Sequence, residues 1–224
     1  MITVHHLNNS RSQRVLWLLE ELELEYDIVH YQRDLKTMLA PPELKAVHAL
    51  GKSPVITDGD ITVAETGAII EYILDTYGND QLRPARRSQA ARQFTYWLHY
   101  AEGSIMPLMV MTLIFRRIET APMPFFVKPV AKGIVDKVKQ GYLDPNIKNH
   151  LDFIDAELAR SGWFAGDQFS AADIQMSFPL EAAQARAASK ERVHLTRFLE
   201  RIHARPAYQR ALLKGGTFDL QGKS

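Results

Sequence analysis

The sequence predicts an α/β unit followed by an all-α unit, and three observations carry that reading. Short β-rich runs occur only up to Val63. Beyond Leu82-Arg83-Pro84 the β signal ends, and apolar residues recur at helical spacing from about Ser88 to Leu213. A chain of 224 residues with 46% hydrophobic content is long and apolar enough to give both units a core. The linker falls at Asn79 to Arg87, which puts the units at residues 1–80 and 88–214.

Taken in order, Ile2 to Leu7 reads as a strand, and Val15, Leu18, Leu19 and Leu22 follow at i, i+3, i+4 and i+7, one apolar helical face. Tyr26 to Tyr31 again favours strand, so the chain opens with a right-handed βαβ unit and two parallel strands. Pro41 and Pro42 mark a polar connection. Val55-Ile56-Thr57 and Ile61-Thr62-Val63 then flank Asp58-Gly59-Asp60, a hairpin signal. A helix from about Thr66 buries Ile69, Ile70, Ile73 and Leu74, and Gly78 suits a left-handed cap at its end. The order is βαβ, then ββα.

In the second unit, the first helix carries Trp97, Leu98, Ala101 and Ile105 on one face, and Gly103 with Pro107 predicts a bend partway along it. Pro122, Pro124 and Pro129 break the next stretch. Val135, Val138, Leu151, Ile154 and Leu158 then resume helical spacing. Ser170-Ala171-Ala172-Asp173 has the N-cap and N3 acid of a capping box, a folding element with no ligand role. The tail from Gly215 to Ser224 is expected to fray.

Composition excludes several functions. Lys plus Arg number 27 against 26 Asp plus Glu, so no general field draws the chain to nucleic acid or an anionic membrane. Zero cysteines exclude a disulfide scaffold, a thiolate metal site and a protein-borne thiol nucleophile. If sulfur chemistry occurs, the substrate brings the sulfur. No run approaches 18 apolar residues, and Met1-Ile2-Thr3-Val4 lacks the basic start and apolar stretch of a secretory signal, so a cytoplasmic protein without a membrane span is expected. The eight histidines show no metal-ligand spacing, and His5 and His6 fall on alternate faces of a strand, which predicts no metal.

The most informative segment is Lys52-Ser53-Pro54-Val55-Ile56 followed by Ala64-Glu65-Thr66-Gly67-Ala68-Ile69. A Gly-Lys-x-Pro-Val turn, a hairpin, and Glu-Thr-x-Ala-Ile opening a helix resemble the glutathione transferases, as does the later Ser170-Ala171-Ala172-Asp173-Ile174. The resemblance implies an N-terminal thioredoxin-like βαβ-ββα domain and an all-helical bundle domain. It implies glutathione as cosubstrate, a homodimer, and a role in detoxification. It further implies that Pro54 is cis and that Ser53 offers both its backbone hydrogen bonds to the cysteinyl part of glutathione. The start of the helix at Glu65-Thr66 suits the γ-glutamyl carboxylate, through free N–H groups, the helix dipole and the Thr66 hydroxyl, while the Glu65 carboxylate suits the ammonium. Simple helix capping is the plainer reading of both residues. Lys52 suits the glycyl carboxylate, with His48 able to do the same work.

A free cysteine thiol has a pKa of about 8.5, so the thiol needs activation. In serine-type members of the family the activating hydroxyl follows the first strand, and in Asn8-Asn9-Ser10-Arg11-Ser12-Gln13-Arg14 the best match is Ser10, with Asn9 and Ser12 as rivals. Ser10-x-x-Gln13 is also a capping-box pattern, and a hydroxyl can cap and activate at once. Arg11 adds a positive charge there or points into solvent. Met106, Met109, Met111, Leu113, Phe115 and Phe126 offer an apolar wall for a second substrate, or a core. Glu102 is expected at the dimer interface or as a solvated helix charge. The sequence therefore predicts an enzyme that aims the glutathione thiolate at a hydrophobic electrophile or hydroperoxide. The alternative is a glutathione- or ligand-binding protein of the same fold without turnover.

Overall fold

The computed structural model describes residues 1–34, 37, 39–184, 192–216 and 218. Strands β1 (Ile2–Leu7) and β2 (Tyr26–Tyr31) pair in parallel across helix α1 (Ser12–Glu21). After the short α2 (Leu44–Val47), strands β3 (Val55–Asp58) and β4 (Ile61–Ala64) form the expected antiparallel hairpin, with Gly59 at φ +58 in its turn. β3 runs antiparallel to β1, so the sheet order is β2-β1-β3-β4. Helix α3 (Thr66–Tyr77) follows and buries Ile69, Ile70, Ile73 and Leu74. This is the thioredoxin-like arrangement. Alternation explains the sheet's core face, because Ile2 and Val4 of β1 and Ile56 of β3 are fully enclosed beside Val15, Leu18 and Leu19 of α1.

The rest of the described chain is helical. Helices α4 (Gln89–Tyr100) and α5 (Met106–Thr120) are joined by a π-helical turn at Ala101–Ile105, where a bend was expected. Helices α6 (Lys128–Val138), α7 (Asp144–Ser161), α8 (Ala171–Gln184), α9 (Val193–His203) and α10 (Pro206–Gly215) complete the bundle. Helix α8 is its axis, with Ile174, Met176 and Leu180 fully buried. The continuous run Gln89–Thr120 is long and apolar enough, by length and composition, to cross a membrane, which the sequence pattern did not anticipate. Here Trp97, Leu98, Ala101, Ile105 and Met109 face the bundle core, and Trp97 packs on Phe164 with ring centroids 4.6 Å apart.

Two terminal details differ from expectation. Gly78 lies at φ −75, right-handed, and the left-handed residues are Asn79 and Asp80 just beyond it. Short polar side chains tolerate that conformation, so the chain reverses one residue later. The tail falls largely outside the described residues, but Gly215 closes α10 and packs on the first unit, where a Cβ would come within 2.8 Å of Leu16 Cδ1. Arg210 and Lys214 of α10 hold Glu20 of α1, and Arg205 holds Glu21 through two nitrogens at 2.5 and 2.7 Å. At the head of α8, the fully buried Asp173 carboxyl accepts the backbone N–H groups of Phe164 and Ser170 and the Ser170 hydroxyl, but its own N–H goes to the Ser170 backbone carbonyl, so only the acid's half of the expected capping box forms.

Candidate functional site

The strand β1 delivers the chain into a bend at Asn8 and Asn9, the latter at φ 50, and Ser10 follows with 3% of its surface exposed. Helix α1 begins only at Ser12. Arg11 takes the N-cap position in a helical conformation without a side-chain cap bond. The Gln13 N–H goes to the Ser10 backbone carbonyl at 3.3 Å, so no Ser10–Gln13 capping box forms. The Ser10 Oγ accepts the Ser12 N–H at 3.2 Å and lies 2.7 Å from the Ser12 Oγ. The rival Ser12 is turned inward, with its hydroxyl 2.9 Å from His6 Nδ1. Burial, and then the neighbouring His30, lower the His6 pKa to about 4, with the Gly215 backbone opposing them, so its ring is neutral at neutral pH.

Opposite Ser10 stands the start of β3. The Ser53–Pro54 peptide is cis. The Ser53 hydroxyl donates to the His5 carbonyl at 2.9 Å and sits 3.5 Å from the Ser10 Oγ. Lys52 is exposed beside it, and His48 is half-buried with its Nδ1 facing the Leu50 N–H at 3.4 Å. Across the hairpin, Glu65 precedes α3 at φ 72 and ψ 125, without a side-chain cap bond. Thr66 is buried, and its Oγ1 accepts from Arg14 Nη2 at 3.2 Å, which leaves its own proton to donate. Lys52, Ser53, Pro54, Glu65 and Thr66 line one cavity of about 220 Å³, together with Arg11, His48 and Glu102.

Sequence reasoning missed the buried group behind this cavity. Arg14, 2% exposed, donates to the Gln175 carbonyl of α8 at 2.5 Å, to Thr66 of α3, and to the Glu102 carboxylate in the π-helical turn. Arg11 pairs with the other Glu102 oxygen at 3.1 Å. Burial pushes the Glu102 pKa up, but Arg14 and Arg11 outweigh it, and the carboxyl titrates below its ordinary value. Glu102 is thus partly buried, and within its own chain it lines the cavity while paired with Arg14 and Arg11. A second, larger cleft of about 1020 Å³ shares Arg11, Leu50, Lys52 and Ser53 with the first and is walled by Leu7, Leu39, Pro41 and Val110. Of the apolar wall expected on the long helix, Met106 and Met109 are core, Met111 and Phe115 pack partly against it, and Leu113 and Phe126 are exposed.

The comparisons with known proteins agree with this geometry. Residues 1–75 match the family described as Glutathione S-transferase, N-terminal domain, and residues 108–206 match Glutathione S-transferase, C-terminal domain. Glutathione S-transferase 1 of Saccharomyces cerevisiae is 36% identical, covering 93% of this chain and 92% of its own length. Glutathione S-transferase 3 of Schizosaccharomyces pombe is also 36% identical, over 92% of this chain and 85% of its own. The crystal structure of a glutathione S-transferase from Actinobacillus pleuropneumoniae superposes with a TM-score of 0.84 at 33% identity, covering 100% of this chain and 97% of that one. The chain belongs to the glutathione S-transferase family.

Proposed function

We propose that the chain is a glutathione transferase of the serine type, in which the Ser10 hydroxyl donates to the glutathione thiolate. The observation that carries this reading is convergence: residues from two ends of the β3–β4 hairpin, Lys52, Ser53 and Pro54 with Glu65 and Thr66, line one cavity, and the Ser10 hydroxyl lies 3.5 Å from Ser53. The γ-glutamyl carboxylate meets the first N–H groups of α3 and the Thr66 hydroxyl, and the Glu65 carboxylate takes the ammonium. Ser53 pairs through its backbone with the cysteinyl residue, and Lys52 takes the glycyl carboxylate. The positive φ of Glu65 supports this reading, since such a conformation costs on the order of 1–3 kcal/mol and concentrates at ligand clamps.

The thiolate attacks an apolar electrophile in the larger cleft and displaces its leaving group, or attacks the outer oxygen of an organic hydroperoxide, breaking the O–O bond to release the alcohol and leave glutathione sulfenic acid, which a second glutathione converts to the disulfide and water. With no cysteine in the chain, no mixed disulfide forms on the enzyme. Two copies form a cytoplasmic homodimer, each with a glutathione-binding domain at 1–80 and a helical domain at 88–214. The test is ultraviolet titration of bound glutathione beside turnover of a chlorodinitrobenzene and of cumene hydroperoxide. A bound thiol that titrates well below about 8.5 with turnover of either compound is expected. A thiol that titrates as the free one, with no turnover, sinks the enzyme reading. Sedimentation should give twice the 25.5 kDa chain mass.

A further inference from the structure

Behind Ser10 runs a buried chain of polar groups that ligand contact alone does not require. Ser10, Ser12 and His6 are 3%, 0% and 4% exposed, and none of the three lines the cavity, which Ser10 meets beside Ser53 at 3.5 Å. The Ser10 and Ser12 hydroxyls are 2.7 Å apart, and the Ser12 hydroxyl is 2.9 Å from His6 Nδ1. Each hydroxyl has one proton, so the chain must be polarised one way or the other. The Ser53 proton is taken by the His5 carbonyl, and Ser53 can only accept from Ser10. If His6 carries its proton on Nδ1, it donates to Ser12, whose own proton goes to Ser10 at 2.7 Å in preference to the Leu7 carbonyl at 3.4 Å. The Ser10 Oγ then accepts twice, from the Ser12 hydroxyl and the Ser12 N–H, and its own proton points out. If the proton sits on Nε2, the chain reverses and the Ser10 proton is drawn inward to Ser12.

Magnitude decides between the two once a thiolate is present. A hydrogen bond to an anion is about twice as strong as a neutral one. The contender for the ring proton is the Gly215 backbone on α10, a neutral partner. The anion therefore selects the outward chain, and hydrogen bonds in series strengthen the last donor. We infer that His6, acting through Ser12, is a positioning residue that directs the Ser10 hydroxyl proton at the glutathione sulfur. The inference rests on the proposed role of Ser10. No heavy atom needs to move for the chain to adopt this polarity, only two hydroxyl protons and the ring proton.

The test compares Ser12→Ala, His6→Leu and His6→Asn in the full-length chain, with glutathione, a chlorodinitrobenzene and the bound-thiol titration as readouts. The charged groups around the cavity, Arg11, Lys52, Glu65 and Glu102, are unchanged in all three. Ser12→Ala and His6→Leu should raise the bound-thiol pKa and lower kcat/KM about two- to tenfold near neutral pH, with the loss vanishing at pH values where wild type and variant are both thiolate. The KM for glutathione should not move. His6→Asn, whose amide can offer an N–H where Nδ1 stood, should recover most of the loss, which separates the hydrogen bond from packing. An unchanged or lowered thiol pKa in Ser12→Ala would overturn the inference, as would losses in both variants that persist at alkaline pH or appear as a raised KM. Ser10→Ala serves as reference. If it leaves the thiol pKa unmoved, the reading of Ser10 itself fails. If it raises the pKa while Ser12→Ala does not, only the role of His6 fails.

Discussion

Two buried walls stand behind the lining of the cavity, and they are built from opposite materials. The Ser10 side is a run of neutral groups, three serine hydroxyls and a neutral imidazole. The Arg14 side is charged, with one buried guanidinium bonded to α3, α8 and the π-helical turn at once. Neutral hydrogen bonds are each worth about 0.5–1.5 kcal/mol net, so the first wall can be altered without endangering the fold. The buried Arg14 is different, because removing Glu102 strands a charge that is 2% exposed, and removing Arg14 leaves the buried Gln175 carbonyl without a donor and Glu102 with Arg11 alone. The neutral wall is therefore where reactivity can be tuned, and the charged wall is where the ligand cavity and the docking of the helical bundle depend on the same side chain.

The largest effect should come from breaking the charged wall. Arg14→Met leaves the Gln175 carbonyl and the Thr66 hydroxyl without their donor and Glu102 with Arg11 as its remaining partner, and should cost about 3 kcal/mol or more. At roughly 2–4 °C per kcal/mol for a chain of this size, the melting temperature should drop by about 6–12 °C. The double variant Arg14→Met with Glu102→Leu should regain part of that loss. A calorimetric scan in which the single variant melts within 2 °C or so of wild type would mean that the pair carries little. Next comes the neutral wall. Ser10→Ala removes one hydrogen bond to the thiolate, worth about 1.5–3 kcal/mol, so kcat/KM near neutral pH should drop about ten- to a hundredfold while affinity for glutathione above the thiol pKa holds. Ser10 is not the N-cap of α1, but its Oγ accepts the buried Ser12 N–H, so the variant should also lose about 1 kcal/mol of stability and melt a few degrees lower. Full activity with a lowered melting temperature would reverse the comparison.

A smaller effect is expected where the walls meet the ends of the tripeptide. Lys52→Ala and Thr66→Val each remove one contact made equally before and during reaction. The KM for glutathione should rise about three- to tenfold, with kcat within about twofold. A kcat that falls with KM unchanged would move these residues from binding to chemistry.

How much of this was legible in the sequence follows the same division. Periodicity exposed β1, α1, β2 and the β3–β4 hairpin, because their apolar faces repeat over several residues. Lys52-Ser53-Pro54 and Glu65-Thr66 were legible as local motifs, and Ser10 as the hydroxyl next to a helix start. The groups behind them were not. Arg14 stands directly before Val15 on α1, and a sequence pattern gives no sign that a bundle will later close over an arginine. His6 looked like one of two alternating strand histidines, and only the turn to Ser12 brings a hydroxyl to its ring. Glu102 reads in the sequence as an interface residue or a solvated helix charge, and nothing there shows that the π-helical turn at Ala101–Ile105 sets it beside Arg14 and Arg11. Gly103 and Pro107 signalled the irregularity without giving its form.

The smallest effect isolates the charge of the charged wall from its hydrogen bonds. Glu102 titrates below the ordinary carboxylate value, because Arg14 and Arg11 outweigh its burial. A depressed folded pKa means that the unfolded chain binds the proton more readily, so the stabilisation is fully present above about pH 4.5 and is lost as pH falls through the folded value. Glu102→Gln keeps an acceptor for Arg14 but cannot titrate. Its stability should therefore fall less steeply than wild type as the pH drops below about 4.5, and the two curves should converge at the acid end. Other paired carboxylates, Glu20, Asp58 and Asp152, titrate in the same range and are common to both proteins, so the difference between the curves belongs to Glu102. Nearly a third of the Glu102 side chain is exposed, and solvent screening should hold this pH-dependent part to about 1 kcal/mol or less. Urea melts at intervals between pH 3 and 7 would read it. Parallel curves would mean that Glu102 holds Arg14 by hydrogen bonding alone, and that the two walls differ in geometry rather than in charge.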